Sequence, residues 1–242
     1  MKTVTVVTEL RAGGNEVGFN AAYPEGMDAC LCSLVSDAGY KVNLIHTSPE
    51  HDGSALTDEI LQETDVLIWW GHAFHHFVLD SVAERVANRV NRGMGIIFLH
   101  SAHFSKPFKK LMGTSCALSW REANEKERVW AIDPVHPIAR GIPESFVIER
   151  EEMYGEPFYI PTPDELVFLG WFKGGEVMRS GCVWRRGRGK VFFFQPGHET
   201  FPTYKNGHVR RIILNAIEYI MPDEVASSLG GAHVPVPLEP LD

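Results

Sequence analysis

Short, almost unbroken apolar runs alternate along the chain with longer stretches in which apolar residues recur every three to four positions. Residues 3–7 (TVTVV), 41–45 (KVNLI), 66–70 (VLIWW) and 94–99 (MGIIFL) are β-branched or aliphatic and too short for helices. Such runs are the mark of strands covered on both faces. Between them, residues 27–38 are apolar enough for a helix packed on a sheet. In residues 80–90, Val82, Val86 and Val90 recur four apart and so share one helix face. Residues 56–63 read as a short helix, with Thr57 near its start and acidic residues close by. Strand–helix alternation of this kind predicts a doubly wound sheet whose first four strands are mutually parallel, with helices on both faces.

The pattern changes after Phe108. Residues 109–165 hold shorter elements and several prolines, and read as an elaboration on the sheet, not a second core. Residues 165–171 (ELVFLGW) form a strand. Residues 176–184 and 190–195 flank Arg185-Arg186-Gly187-Arg188-Gly189, which predicts an antiparallel hairpin closed by a five-residue loop. Val209, Ile212, Ile213, Ala216, Ile217 and Ile220 give residues 209–220 helical spacing. Gly13-Gly14 and Gly174-Gly175 are turn material. The organisation expected is one α/β domain over residues 1–222 and a Pro-rich tail over 223–242. Val234, Val236, Leu238 and Leu241 dot that tail, so it should pack on its own body or on a neighbouring subunit of a homo-oligomer.

With 242 residues, 44% of them hydrophobic, the chain can bury one sizeable core. A net charge of −8, with no basic cluster beyond the arginines of the hairpin, argues against nucleic acid as a partner. No apolar stretch approaches the roughly 18 residues of a membrane span, and MKTVTVVTEL reads as a strand, not a secretory leader. Cys30, Cys32, Cys116 and Cys182 form no CxxC pair and read as reduced packing thiols of a cytoplasmic protein. GxGxxG and GxxxxGK[ST] are absent, so no nucleotide cofactor is expected. Without G-x-S-x-G, a serine hydrolase of that type is not expected either.

Histidine alters this plain picture. Of the 11, several cluster behind strand-like runs, in GHAFHH (71–76), LHSAH (99–103) and PGHE (196–199). In a parallel sheet the carboxyl ends of the strands gather on one side, where ligands bind. The third segment joins them if the strand over 190–195 runs parallel to the core, and EEMYGEP (151–157) is a fourth contributor. Imidazoles with carboxylates suit zinc or a similar divalent ion at about 2.0–2.2 Å. They suit proton transfer near neutral pH equally well, and spacing leaves both open. His136, in DPVHPIARG, reads as a turn residue, and His46, His51, His208 and His233 as surface residues. Trp69, Trp70, Trp120, Trp130, Trp171 and Trp184 read mostly as core, with one or two free to form a platform under a sugar ring.

DVLIWWGHAFHHFV, GMGIIFLHSAHFSKPFKKLMGTSC, WREANEKERVWAIDPVHPIARGI, EEMYGEPF, GGEVMRSGC and GRGKVFFFQPGHETFPTY together resemble the trehalose-utilisation (ThuA-like) family, in order from Thr3 to Pro222. The resemblance implies a flavodoxin-like three-layer αβα sandwich, similar to class I glutamine amidotransferases. Those relatives carry a cysteine at the sharp turn after a central strand. Here His100 and Ser101 occupy that turn, so thiolate-based glutamine hydrolysis is not expected. The family's motif positions fall on His72, His75, His100, His103, Glu152, Tyr154, His198 and Glu199; His76 stands where related sequences are often acidic and is left out.

The function implied is carbohydrate catabolism, acting on a disaccharide or 3-keto-sugar supplied by a partner sugar dehydrogenase. His100 and His198 would be central bases or ligands, and Glu152 a proton-transfer carboxylate or third ligand. Glu199 would orient an imidazole, while His72, His75, His103 and Tyr154 would bind substrate. A divalent metal such as zinc would sit on His100, His198 and Glu152. The rival class is a non-catalytic carbohydrate-binding or assembly module on the same fold. An enzyme needs His100, Glu152 and His198 within roughly 8 Å of one another, whereas a binding module needs only an aromatic platform with scattered polar groups.

Overall fold

The computed structural model describes residues 1–10 and 21–241, so the Gly13-Gly14 turn lies outside the described residues. The amino-terminal half alternates as expected: β1 (Thr3–Glu9), α1 (Met27–Asp37), β2 (Lys41–Thr47), α2 (Asp58–Glu63), β3 (Val66–Trp70), α3 (Asp80–Asn91), β4 (Gly95–Leu99) and α4 (Lys106–Met112). The remainder contains β5 (Ser119–Ala131), β6 (Ser145–Gly155), β7 (Glu165–Phe172), β8 (Val177–Arg186), β9 (Gly189–Phe194) and α5 (Gly207–Ile220). The nine strands among the described residues belong to one sheet of order β2-β1-β3-β4-β9-β8-β7-β5-β6. From β2 to β9 neighbours are parallel, and from β9 to β6 they are antiparallel.

Side-chain alternation explains the layers. Along β4, Ile97 and Leu99 join one core with Leu31 and Leu34 of α1 and Ile212 and Ile213 of α5. Ile96 and Phe98 enter the other, with Val82, Val86 and Val90 of α3 and Phe108 of α4. A strand buried on both sides must be apolar at every position, which is why GIIFL shows no alternation. The product is a three-layer αβα sandwich with a parallel centre and an antiparallel extension.

Strands β5 and β6 depart from the sequence expectation, spanning 13 and 11 residues where shorter elements were predicted. The first half of β5 (SWREAN) is exposed and polar, and register shifts fall between Arg121, Glu125 and Glu127, so the chain there carries no strand periodicity. The β8–β9 connection is also tighter than a five-residue loop. Arg185 and Arg186 stay in the strand, Arg185 pairs with Lys190, and Gly187, at φ 58, makes the turn with Arg188. Arg186 is not a solvated tip: its Nε donates to the Leu111 carbonyl at 2.6 Å. The tail docks only at its beginning, where Ala226 N–H donates to Arg92 O at 2.9 Å. Beyond it, Leu229, Val234, Val236, Leu238 and Leu241 are exposed in the single chain.

Candidate functional site

Strands β3, β4 and β9 run parallel, so the segments that follow them emerge on one side of the sheet. Counting antiparallel steps outward from β9, β6 points the same way, which brings its last residues there as well. Four residues meet: His72 after β3, His100 after β4, Glu152 on β6 and His198 after β9. One ligand-type atom from each lies within 4.8 Å of all the others. His100, Glu152 and His198 thus meet the distance requirement of the enzyme reading. His72 is a fourth member of the cluster, beyond the lining role expected for it.

His100 occupies the sharp turn between β4 and a short 3-10 helix at φ 53, a left-handed conformation rare for residues with a Cβ. Its ring is fully buried. Nδ1 lies 3.0 Å from the Gln195 carbonyl, which can only accept, so Nδ1 carries a proton. Nε2 lies 3.0 Å from Glu152 Oε2. A lone pair facing a carboxylate at that range is repulsive, so a proton or a cation must lie between them. Burial pulls the His100 pKa down, but the Glu152 hydrogen bond and the nearby Glu152, Glu151 and Glu199 charges outweigh it and hold it above the ordinary value. Burial likewise favours the neutral form of Glu152, yet His100, His198 and His72 pull its pKa below the usual range.

The other imidazoles are held by their far nitrogens. His72 Nδ1 donates to Glu199 Oε1 at 2.8 Å, with Glu199 itself fully buried. A carboxylate behind an imidazole is the arrangement that fixes tautomer and ring orientation in metal sites. His198 Nδ1 accepts from the Thr200 backbone N–H at 3.2 Å and lies 2.8 Å from Thr200 Oγ1, so Nε2 is the ring nitrogen left over. That Nε2 is buried with no hydrogen-bond partner. Burial, aided by the His100 charge, pushes the His198 pKa down to about 4.

Tyr154 stacks on His100 at 4.9 Å between centroids, and its hydroxyl pairs with Ser101 Oγ and reaches His100 Nε2 at 3.4 Å. Burial raises its pKa well above the ordinary value, so the phenol stays protonated. His103 and His75 line the adjoining cavity but stand outside the four-residue cluster. His103 Nδ1 donates to Cys116 O at 2.8 Å, and burial lowers its pKa to about 3; burial lowers that of His75 to about 4.

Two acidic residues that hold the site together had no role in the sequence reading. Glu9, buried at the end of β1, accepts from the backbone N–H groups of His72, Ala73 and Phe74 at 3.0, 2.8 and 2.9 Å. A carboxylate closing an otherwise uncharged strand was its only signal. Glu151 accepts from Gly197 N, His198 N and Thr203 Oγ1, at 3.0, 3.0 and 2.8 Å, and so clamps the turn that delivers His198. Among the remaining histidines, His136 caps the helical turn Pro137–Ala139 and meets Glu165 at 2.6 Å, as a turn residue should. The thiols of Cys116 and Cys182 are buried, and burial raises both pKa values.

The trehalose-utilisation (ThuA) family profile matches residues 6–220. The chain belongs to the ThuA family. No functionally curated protein matches the sequence significantly. Among solved structures, a ThuA-like protein from Parabacteroides merdae superposes with a TM-score of 0.66 at 12% identity, covering 95% of this chain and 93% of its own. One from Bacteroides uniformis gives 0.62 at 16% identity, over 90% and 91% of the two chains. A glutamine amidotransferase from Thermotoga maritima gives 0.54 at 10% identity, over 90% and 98%. These likenesses establish the ThuA and amidotransferase-like fold. Family membership suggests a role related to trehalose utilisation. No helix among the described residues is long and apolar enough to cross a membrane.

Proposed function

We propose that this ThuA family member is a carbohydrate-catabolism enzyme that acts on a disaccharide or 3-keto-sugar by metal-assisted acid–base chemistry. One observation carries the reading. The ligand atoms of half-buried His72 and buried His100, Glu152 and His198 converge within 4.8 Å, and Glu199 and Gln195 fix two of the imidazoles from behind. The three imidazoles would hold a divalent ion such as zinc, with Glu152 beside them. When bound, the ion supplies Lewis-acid polarisation of a substrate oxygen. A cation would also resolve the close approach of His100 Nε2 and Glu152 Oε2, and would take the unpartnered His198 Nε2 as a ligand once the ring proton sits on Nδ1, facing Thr200 Oγ1.

The chain's own residues then move the protons. Glu152 lines the cavities, and its depressed pKa keeps it ionised at neutral pH. A carbonyl acidifies the adjacent C–H bond, so Glu152 takes that proton while the C–H pair becomes the new C=C bond. The displaced carbonyl pair stays on oxygen, which accepts a hydrogen bond from the protonated Tyr154 hydroxyl, itself linked to Ser101. His75 and His103 line the wall as neutral hydrogen-bonding groups. The same set serves an isomerisation or an elimination. The test is titration of the full chain with zinc and manganese, together with turnover of 3-keto-trehalose. His100→Ala should abolish cation binding and turnover with an unchanged circular-dichroism spectrum. A wild-type chain that binds neither ion and turns over no keto-sugar would overturn the reading.

A further inference from the structure

Two cavities flank the cluster. The larger, about 430 Å³, has Trp120, Phe104, Leu118 and Tyr154 in its wall. The smaller, about 290 Å³, is bounded by Asn124, Thr200, His198 and Phe201. They share His72, Glu122 and Glu152, so they meet at the cluster. Together they fall within the roughly 300–1,000 Å³ typical of small-molecule sites.

One strand spans both. Trp120, Glu122 and Asn124 all belong to the exposed first half of β5 and all border these cavities. Trp120 lines only the larger cavity, Glu122 lines both, and Asn124 lines only the smaller. Asn124 is held at φ 51 within the irregular stretch between Arg121 and Glu125. Trp120 is 64% exposed, although an indole is among the side chains that gain most from burial. The exposed polar half of β5, which hid the strand from the sequence pattern, is therefore the wall that bridges the two cavities.

We infer that this half of β5 measures a two-ring saccharide, an inference that rests on the sugar reading above. One ring stacks on Trp120 in the larger lobe. The other takes hydrogen bonds in the polar lobe from Asn124 and Thr200. The linkage between the rings crosses the shared wall, where the Glu122 carboxylate accepts from flanking hydroxyls and Glu152 faces the reacting carbon. A lone monosaccharide settles in the polar lobe, which offers it more hydrogen-bonding partners. Trp120, Glu122 and Asn124 are thus the specificity-determining residues.

The test is calorimetric titration of the zinc-loaded full chain with 3-keto-glucose and 3-keto-trehalose. The wild type should bind the disaccharide at least tenfold tighter. Trp120→Ala should erase that advantage and leave 3-keto-glucose binding unchanged; the exposed indole can be removed without emptying a core. Asn124→Gly, which tolerates the same backbone conformation, should weaken both sugars by a similar factor. Equal affinities for the two sugars in the wild type, or a Trp120→Ala chain that weakens both alike, would overturn the two-ring inference and leave the sugar reading standing. Failure of the wild type to bind either sugar would overturn the sugar reading and this inference with it.

Discussion

Glu199→Gln isolates the carboxylate behind His72. The side chain is fully buried, and its Oε1 receives the Nδ1 proton of His72 at 2.8 Å. The amide is nearly isosteric and its oxygen can still accept that proton, so the ring stays in place while the charge that makes Nε2 a stronger donor is lost. Changes to such supporting partners typically weaken metal affinity about 10–100-fold, equivalent to about 1.4–2.7 kcal/mol. At saturating zinc the same free energy is lost from ligand-linked stability. For a chain of 242 residues, at roughly 2–4 °C per kcal/mol, the zinc-induced rise in Tm should shrink by about 3–11 °C. Calorimetric titration gives the affinity, and thermal scans with and without zinc give the shift. A variant that binds zinc within about twofold of wild type would refute the supporting role of Glu199, and with it the ordered His72 ligand.

Other expectations follow from particular contacts. Because His100 sits at φ 53, His100→Gly should be more stable than His100→Ala by about 1 kcal/mol in urea denaturation; the opposite order would mean that the turn is not strained. Glu9→Ala strips the acceptor from three backbone N–H groups. It should cost about 2–3 kcal/mol of stability and weaken cation binding through His72, whereas an undiminished Tm would show that water replaces the carboxylate freely. Glu127 is fully buried, neither carboxyl oxygen has a hydrogen-bond partner, and burial raises its pKa well above the ordinary value. A raised carboxyl pKa favours the fold below the unfolded value, near 4.3, and that advantage drains away as pH climbs toward the folded one, at about 1.4 kcal/mol per unit crossed. Glu127→Gln should therefore lose less Tm than wild type between pH 5 and pH 8, and parallel curves would show the group to be ionised in the fold.

The parallel half of the sheet was legible because burial on both faces leaves strands such as VLIWW and GIIFL no polar position. The same logic failed at β5, where water lies against the first half of the strand and a bulge breaks the alternation. His100 could be grouped in advance with the other strand-end histidines because parallel strands end on a common side, His198 on condition that its strand ran parallel, and Glu152 through the family resemblance. Strand direction alone could not separate His72, which enters the cluster, from His75 and His103, which only line its cavity. Those distinctions depend on which nitrogen meets Glu199 or Cys116 O, contacts between residues 127 apart for the first and 13 apart for the second. Glu151 and Glu152 are adjacent in sequence yet serve different tasks, since neighbours on a strand project to opposite faces.

The position of β9 also constrains how the chain is made. It lies beside β4 in the sheet but follows it by some ninety residues, with Ile96 paired to Val191 and Leu99 to Phe194. A nascent chain that has emerged only as far as β8 presents GIIFL as a bare, hydrogen-bond-hungry apolar border, the kind of surface that recruits other chains into aggregates. Docking of β9 caps that border and, within five residues, delivers His198 and Glu199. The four-residue cluster is therefore complete only when the sheet is sealed, because a chain that stops at β8 lacks both His198 and the Glu199 carboxylate that holds His72.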